Sequence, residues 1–358
     1  MKKKGCILAI KVIVFLVGFC FIFLGLQKVL HYRWVQKEDI YSTNIFIKNL
    51  PEDTYDVLFF GTSETKFSVF PAVMYQETGL TSFNYAVTNE SPITLYYQIE
   101  YALRYLDPKV VVCDFSALLD DCLPERNDAV YRKVVETMPD KDIKWELIKS
   151  IKQEFPEQSV LSYLFPVLRY HDMWSELTEL DFEKDYVYNP DYPGYTGGCE
   201  LSKDEFSVEE IELTPDLWVH DTVDAEFSER SLYWYEKIIN LCHENDVKVA
   251  AFYPTAYGLA YDHIRNLSDI LVFLEPKGVK VIDFNNYESV ERLGIELTED
   301  FVEETHMTYR GSLKTSKALA HEIMDFYELP DHRGEESAID WEGHWDTFCE
   351  IYGVENTY

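Results

Sequence analysis

The sequence predicts a three-layer α/β/α protein on a five-stranded parallel sheet, with one N-terminal transmembrane helix and a largely helical insertion. Three observations predict it. Five short apolar runs alternate with longer stretches whose apolar residues recur at helical spacing, the pattern of parallel strands joined by right-handed crossovers. A composition of 47% apolar and 15% aromatic residues over 358 positions supplies a sizeable core and excludes a disordered chain. Residues 12–26 carry no charge.

Residues 6–26 are interrupted only by Lys11. At 1.5 Å per residue such a stretch reaches about 30 Å, the thickness of a bilayer core. Lys11 lies near its start, where the ammonium can snorkel to the headgroups. Lys2, Lys3 and Lys4 precede it, which places the N-terminus in the cytoplasm and the rest outside. No small-x-small cleavage site follows, because Leu26-Gln27-Lys28-Val29-Leu30 is bulky, and Cys20 follows Phe19, a poor lipoprotein signal. Residues 1–34 are therefore expected to form a basic tip and an uncleaved anchor in the lipid bilayer.

The first strand is expected over 56–60, ended by Gly61, and a helix over 67–78. A second strand follows over 80–87, a helix over 93–105, and a third strand over 109–114 opened by Pro108. Further on come a helix over 229–245, strand 247–253, helix 259–274, strand 279–284 and a last core helix over 311–327. Residues 35–330 are read as one domain, interrupted at about 119–227 by an insertion on the sheet's active face. Its tyrosine-rich run, 185–195, either lines a glycan site or forms an ordered surface loop. The acidic tail, 331–358, carries Trp341, Trp345 and Phe348 and either docks as a short helix or stays mobile.

The chain has 32 Lys+Arg against 64 Asp+Glu, a net charge of −32. Residues 1–34 hold six bases and no acid, so the remainder carries −38. That potential repels phosphate backbones and excludes nucleic acid as a partner. It also disfavours tight binding to a bare polyanion; a solvated acidic surface is the default meaning. Outside the anchor, Cys113, Cys122, Cys199, Cys242 and Cys349 are odd in number and irregular in spacing, unlike a disulfide framework or a zinc cluster. The remaining histidines show no ligand spacing, and no metal or cofactor is expected.

Two segments carry chemistry. Gly61-Thr62-Ser63-Glu64 follows the first strand, where open parallel sheets bind ligands. A serine on that turn is placed as a nucleophile; read alone, it equally caps the next helix. The second segment, 301–311, holds His306 with Glu303 three residues earlier. A histidine can take the serine proton at neutral pH, and a carboxylate can hold its other nitrogen. Asp300 is an alternative acid. Between them, Thr88 or Asn89 offers a backbone donor for an oxyanion and Asn89 a side-chain amide, while Asn84 is as readily a structural hydrogen-bonder.

Together these segments resemble the SGNH/GDSL hydrolase superfamily over roughly 55–118 and 229–328. That superfamily places its serine just after strand one and Asp-x-x-His just before the last helix. A finer likeness is to the membrane-anchored D-alanine transfer proteins of lipoteichoic acid synthesis, through Gly61-Thr62-Ser63-Glu64, His306-x-x-x-Arg310-Gly311 and the anchor. The chain departs from the pattern in having Glu303 for Asp and in lacking the Gly-x-Asn-Asp block, since strand three ends in Asp114-Phe115-Ser116. The resemblance implies a serine esterase or acyltransferase on the outer side of the cell membrane. Its site would be Ser63, His306 and Glu303, with Gly61, Thr88, Asn89 and Arg310 toward oxyanion and substrate. The implied substrates are acetyl or D-alanyl esters of an envelope glycan or teichoic acid, and the implied partner is a multi-span membrane O-acyltransferase. The rival expectations are a non-catalytic anchored scaffold or polymer binder, and an ordinary secreted carbohydrate esterase.

Overall fold

The computed structural model describes residues 2–30, 40–115, 124–182, 193–203, 214–215, 228–256 and 267–356. Helix α1 (Lys2–Val29) opens the chain. Its Cys6–Val29 stretch has a mean hydropathy of 3.0 and is not buried by the rest of the chain, so it is long and apolar enough to cross a membrane. Helix α2 (Ile40–Lys48) leads into the sheet.

The sheet consists of β1 (Val57–Phe60), β2 (Ser82–Asn84), β3 (Val110–Cys113), β4 (Lys248–Tyr253) and β5 (Lys280–Asp283). All neighbours are parallel, in the order β2-β1-β3-β4-β5. The strands read as unbroken apolar runs because both faces are covered. Val57, Phe59, Val112 and Phe252 point into one core, and Leu58, Phe60, Val111 and Tyr253 into the other. The chain leaves β1 for β2 on one side and returns to β3 on the other, so the order reverses at the carboxyl end of β1, the place where such sheets bind ligands.

Past β1 come α3 (Ser63–Ser68) and α4 (Pro71–Thr78), then α5 (Pro92–Tyr105) after β2. The insertion contributes α6 (Pro124–Thr137), α7 (Lys141–Glu154), α8 (Val160–Leu164) and α9 (Val167–Tyr170). Next are α10 (Glu229–Glu244), α11 (Leu267–Leu274), α12 (Tyr287–Leu293), α13 (Leu297–Asp300), α14 (Tyr309–Tyr327) and α15 (Trp341–Tyr352). Helices α5, α6, α7 and α10 cover one sheet face; α4, α14 and α15 cover the other. Trp341 of α15 stacks on Tyr75 with centroids 4.9 Å apart, and Phe348 meets Phe70 at 4.9 Å.

The single helix expected over 67–78 is two helices. Pro71 keeps Phe70 extended (φ −109°, ψ 102°) and opens α4 at its first position. The Phe70 N–H freed by the break donates to Ser316 Oγ at 2.8 Å, and the Ser316 hydroxyl donates to the Ser68 carbonyl at 3.1 Å. The ladder of β2 is shorter than the expected 80–87, because only 82–84 keep regular pairing with β1. Of the helix expected over 259–274, residues 259–266 lie outside the described residues, as do Cys122 and residues 185–192 of the tyrosine-rich run. Cys113, Cys199, Cys242 and Cys349 are buried free thiols, and burial raises the pKa of each.

Candidate functional site

The turn after β1 is set by close approach. Gly61 has φ +155°, and a Cβ there would lie 2.6 Å from Asp114 Cβ at the end of β3 and 2.7 Å from Thr65 Oγ1. Only glycine lets the two strand ends come together in this way. Thr62 is the N-cap residue, though its side chain makes no capping bond, and Ser63 is the first helical residue. Ser63 is therefore not the cap. The Thr62 hydroxyl lies instead between two carboxylates, Glu64 and Asp114, the latter at 2.8 Å. Ser63 itself is 6% exposed.

Asn84 locks this helix in place. Its amide donates to the carbonyls of Thr65 at 3.0 Å and Val69 at 2.8 Å, and its Oδ1 accepts the Ala86 N–H at 3.1 Å. The Thr65 carbonyl also accepts the C-cap Val69 N–H at 3.2 Å, so Asn84 adds a second donor there and supplies a side-chain donor to the Val69 carbonyl past the helix end. Asn84 is thus a structural side chain. The chain after it stays beside β1, with Tyr85 N–H donating to Phe59 and Val87 N–H to Gly61, at 2.7 and 2.9 Å. That places Thr88 and Asn89 next to the Gly61–Ser63 turn. Asn89 adopts a left-handed conformation (φ 55°), and the Thr88 carbonyl accepts a bond from Lys133 Nζ.

The second segment is a tight loop. Phe301 and Met307 form an antiparallel bridge, and Val302 N–H donates to the His306 carbonyl at 2.8 Å. Within it, His306 Nδ1 lies 2.7 Å from Glu303 Oε1. The imidazole stacks on Phe67, with centroids 4.6 Å apart and planes 23° apart. Phe67 stands one turn beyond Ser63 on α3, so the loop and the serine helix share this ring contact. His306 Nε2 is buried and has no hydrogen-bond partner among the described residues. Burial lowers the His306 pKa, against the raising influence of the Glu303 and Glu200 charges and of the Glu303 hydrogen bond. At neutral pH the ring is held unprotonated, with Nδ1 presented to Glu303 and Nε2 left as an acceptor.

Asp300, the alternative acid, is fully buried and engaged elsewhere. It accepts from Glu296 N–H at 2.7 Å and pairs with Lys314 at 2.6 Å. A Cβ on Gly311 would meet its carbonyl at 2.4 Å, so Asp300 and Gly311 pack α13 against α14. Arg310 lies over Tyr309 and bonds Glu299 at 3.3 Å, 40% exposed. The structure joins His306 to Glu303 directly and to the helix of Ser63 through Phe67, pairs Val87, just before Thr88 and Asn89, with Gly61, and turns Arg310 to Glu299.

One participant was missed in the sequence. Glu200, within the insertion, donates its N–H to the Lys66 carbonyl at 3.0 Å and pairs with buried Lys66 Nζ at 3.8 Å. The segment around it spans both halves of the site: Asn84 N–H donates to Gly197 and Tyr309 N–H to Ser202, at 3.0 and 2.9 Å. Gly198 permits this, since a Cβ there would lie 1.9 Å from the Asn84 carbonyl. The pair Gly197-Gly198 before an acidic residue is the one trace it leaves in the sequence.

No protein-family model matches the chain, and no curated protein matches it. Among solved structures it is similar to a candidate lipolytic protein of the G-D-S-L family from Desulfitobacterium hafniense, at 10% identity and a TM-score of 0.36 over 75% of this chain and 99% of that one. It is also similar to a candidate acylhydrolase from Bacteroides fragilis, at 10% identity and a TM-score of 0.36 over 82% of this chain and 96% of that one. The chemistry of the site therefore rests on the distances above.

Proposed function

We propose that the chain is a membrane-anchored serine esterase or acyltransferase of SGNH/GDSL type, facing outward and acting on acetyl or D-alanyl esters of envelope polymers. The observation that carries this reading is the state of His306: Nδ1 held at 2.7 Å by Glu303, Nε2 buried and unpartnered, and the ring stacked on the helix that Ser63 begins. Such a ring lacks a proton donor at Nε2, and we assign that role to the hydroxyl of Ser63, one turn before the Phe67 on which the ring stacks. Ser63 Oγ attacks the ester carbonyl as His306 Nε2 takes its proton. Glu303 stabilises the imidazolium, and the proton passes to the leaving alcohol. Water, or a glycan or teichoic acid hydroxyl, then attacks the acyl-enzyme by the same steps in reverse. The N–H groups of Thr88 and Asn89 serve the oxyanion. Helix α1 anchors the domain in the bilayer with the N-terminus in the cytoplasm, beside a multi-span membrane O-acyltransferase.

A second reading, a non-catalytic scaffold or polymer binder, is favoured by one observation: no hydrogen bond joins Ser63 to His306 Nε2. Catalytic contacts often tighten only on substrate binding, so this gap does not outweigh the poised ring. Intact mass of the full chain after a fluorophosphonate, beside Ser63→Ala, decides between them. A single adduct absent from a folded Ser63→Ala variant supports the enzyme. No adduct on the folded wild type, with unchanged acylation in cells carrying Ser63→Ala, supports the scaffold.

A further inference from the structure

The functional reading makes no use of the part of the insertion that meets α1. Phe23 of α1 packs edge-on against Phe165, with centroids 5.5 Å apart at 63°. Gln27 Oε1 accepts the Val167 N–H at 2.7 Å, a donor that the start of α9 leaves open. Leu30 is buried against Val167 and Tyr170. Helices α8 and α9 are thus seated on the C-terminal end of α1. Phe23 stands six residues before Val29, which puts this contact about 9 Å below the end of the helix at 1.5 Å per residue.

Around that contact, large apolar side chains stand open. Leu161 is 57% exposed, Leu168 50%, Trp174 71% and Phe182 67%, with Leu164 and Phe165 also exposed. Leu161 and Leu164 stand on α8 and Leu168 on α9; Phe165 leaves the helical conformation between them (φ −129°, ψ 84°), and bonds of 2.9 Å from Phe165 N–H to the Leu161 carbonyl and from Leu168 N–H to the Phe165 carbonyl link the two short helices. An apolar patch of this kind on a water-soluble surface marks an interaction site.

We propose that residues 161–182 form a second, monotopic contact with the bilayer, lying in the headgroup region beside the C-terminal end of α1. The inference rests on the reading of α1 as a membrane span. The occupant follows from depth. A 24-residue span covers roughly 36 Å and exceeds a hydrocarbon core of about 30 Å. A ring that touches Phe23, about 9 Å below the helix end, sits where interfacial helices bury their apolar face, about 5–10 Å into the headgroup and acyl boundary. Trp174 suits that level, since its ring is apolar and its N–H polar. Arg169 is paired to Asp128 at 3.1 Å, and the exposed carboxylates of Asp172, Glu176 and Glu179 hold the segment at headgroup level rather than deeper in the acyl core. The domain then meets the membrane at two points, which fixes its height and tilt.

The test uses the full chain in phosphatidylcholine–phosphatidylglycerol liposomes, with and without brominated acyl chains. Alkaline extraction comes first: a chain that washes off overturns the anchor reading itself. With α1 retained, the emission difference between wild type and Trp174→Phe isolates Trp174 among the seven tryptophans. The expected result is loss of Trp174 emission in brominated lipid, and recovery of that emission in the Leu161→Glu/Leu168→Glu double variant. Trp174 open to aqueous iodide but not to bromolipid, in a retained chain, overturns the inference and leaves the anchor standing. Trp174 shielded from both assigns the patch to a second copy of the chain and overturns it as well.

Discussion

Ser63 begins a helix locked by shape. Gly61 fits where no Cβ does, Asn84 ties three backbone groups, and Ser316 closes the break before Pro71. His306 sits on a loop whose carboxylate, Glu303, is 53% exposed, and its ring is placed by the hydrogen bond to that carboxylate and by the face of Phe67. The contrast teaches that the two halves fail differently. Changes around the serine cost stability, because backbone groups lose partners or collide. Changes around the histidine cost rate, because an exposed carboxylate contributes little to folding and much to a developing imidazolium.

The largest effect is expected from Gly61→Ala, which forces Cβ into Asp114 and Thr65; unfolding free energy should fall by about 3 kcal/mol or more. An unchanged denaturation midpoint would break the argument from shape. Asn84→Ala should cost about 2–3 kcal/mol by removing the side-chain partners of the Val69 carbonyl and the Ala86 N–H, again read by denaturation. Glu303→Gln should leave the midpoint within about 0.5 kcal/mol. Its fluorophosphonate labelling should slow by about 10- to 100-fold. A stability loss matching that of Asn84→Ala would erase the contrast.

The pH profile sharpens it. Labelling needs neutral His306, and burial lowers its pKa. The rate should therefore hold down through pH 6.5 and fall only at lower pH. Glu200 raises that pKa, so Glu200→Gln should move the acid limb lower still, with the maximal rate nearly intact. A limb that moves upward contradicts the role given to Glu200. The smallest effect belongs to the tail. Burial disfavours charged His332, but its hydrogen bonds to Glu335 and Asp56 and their charges outweigh this and raise its pKa. The stabilisation is present in full below about pH 6.5. It is lost as pH rises through the higher folded value. Proteolysis of the tail should accelerate over that range in wild type and not in His332→Gln.

The places of the five strands along the chain, and of the serine after the first, were legible because apolar runs bounded by Gly, Pro and Asp are local signals; the order of the strands in the sheet was not read. So was the His306–Glu303 pair, since three residues in one loop can fold onto each other. The break between α3 and α4 was signalled by Pro71 and was overridden by the apolar spacing on either side. Glu200 was not legible, because it reaches the site through Gly197, Gly198 and Ser202, whose partners lie more than a hundred residues away. Nor was the seating of the insertion on α1, which depends on contacts such as Gln27 with Val167, 140 residues apart.

Ser316 accepts from Phe70 across 246 residues of chain, and it lies beyond His306. A ribosome adds about 5–20 residues per second, so the serine helix emerges roughly ten to fifty seconds before the side chain that closes it. Through that interval the helix can be satisfied by water but not fixed, and no base stands near its hydroxyl. Long-range closures of this kind form late, after the loops between them have been drawn in. Under the function proposed above, reactivity at Ser63 is therefore a property that the chain would acquire last, and a truncated or stalled product would carry an inert serine.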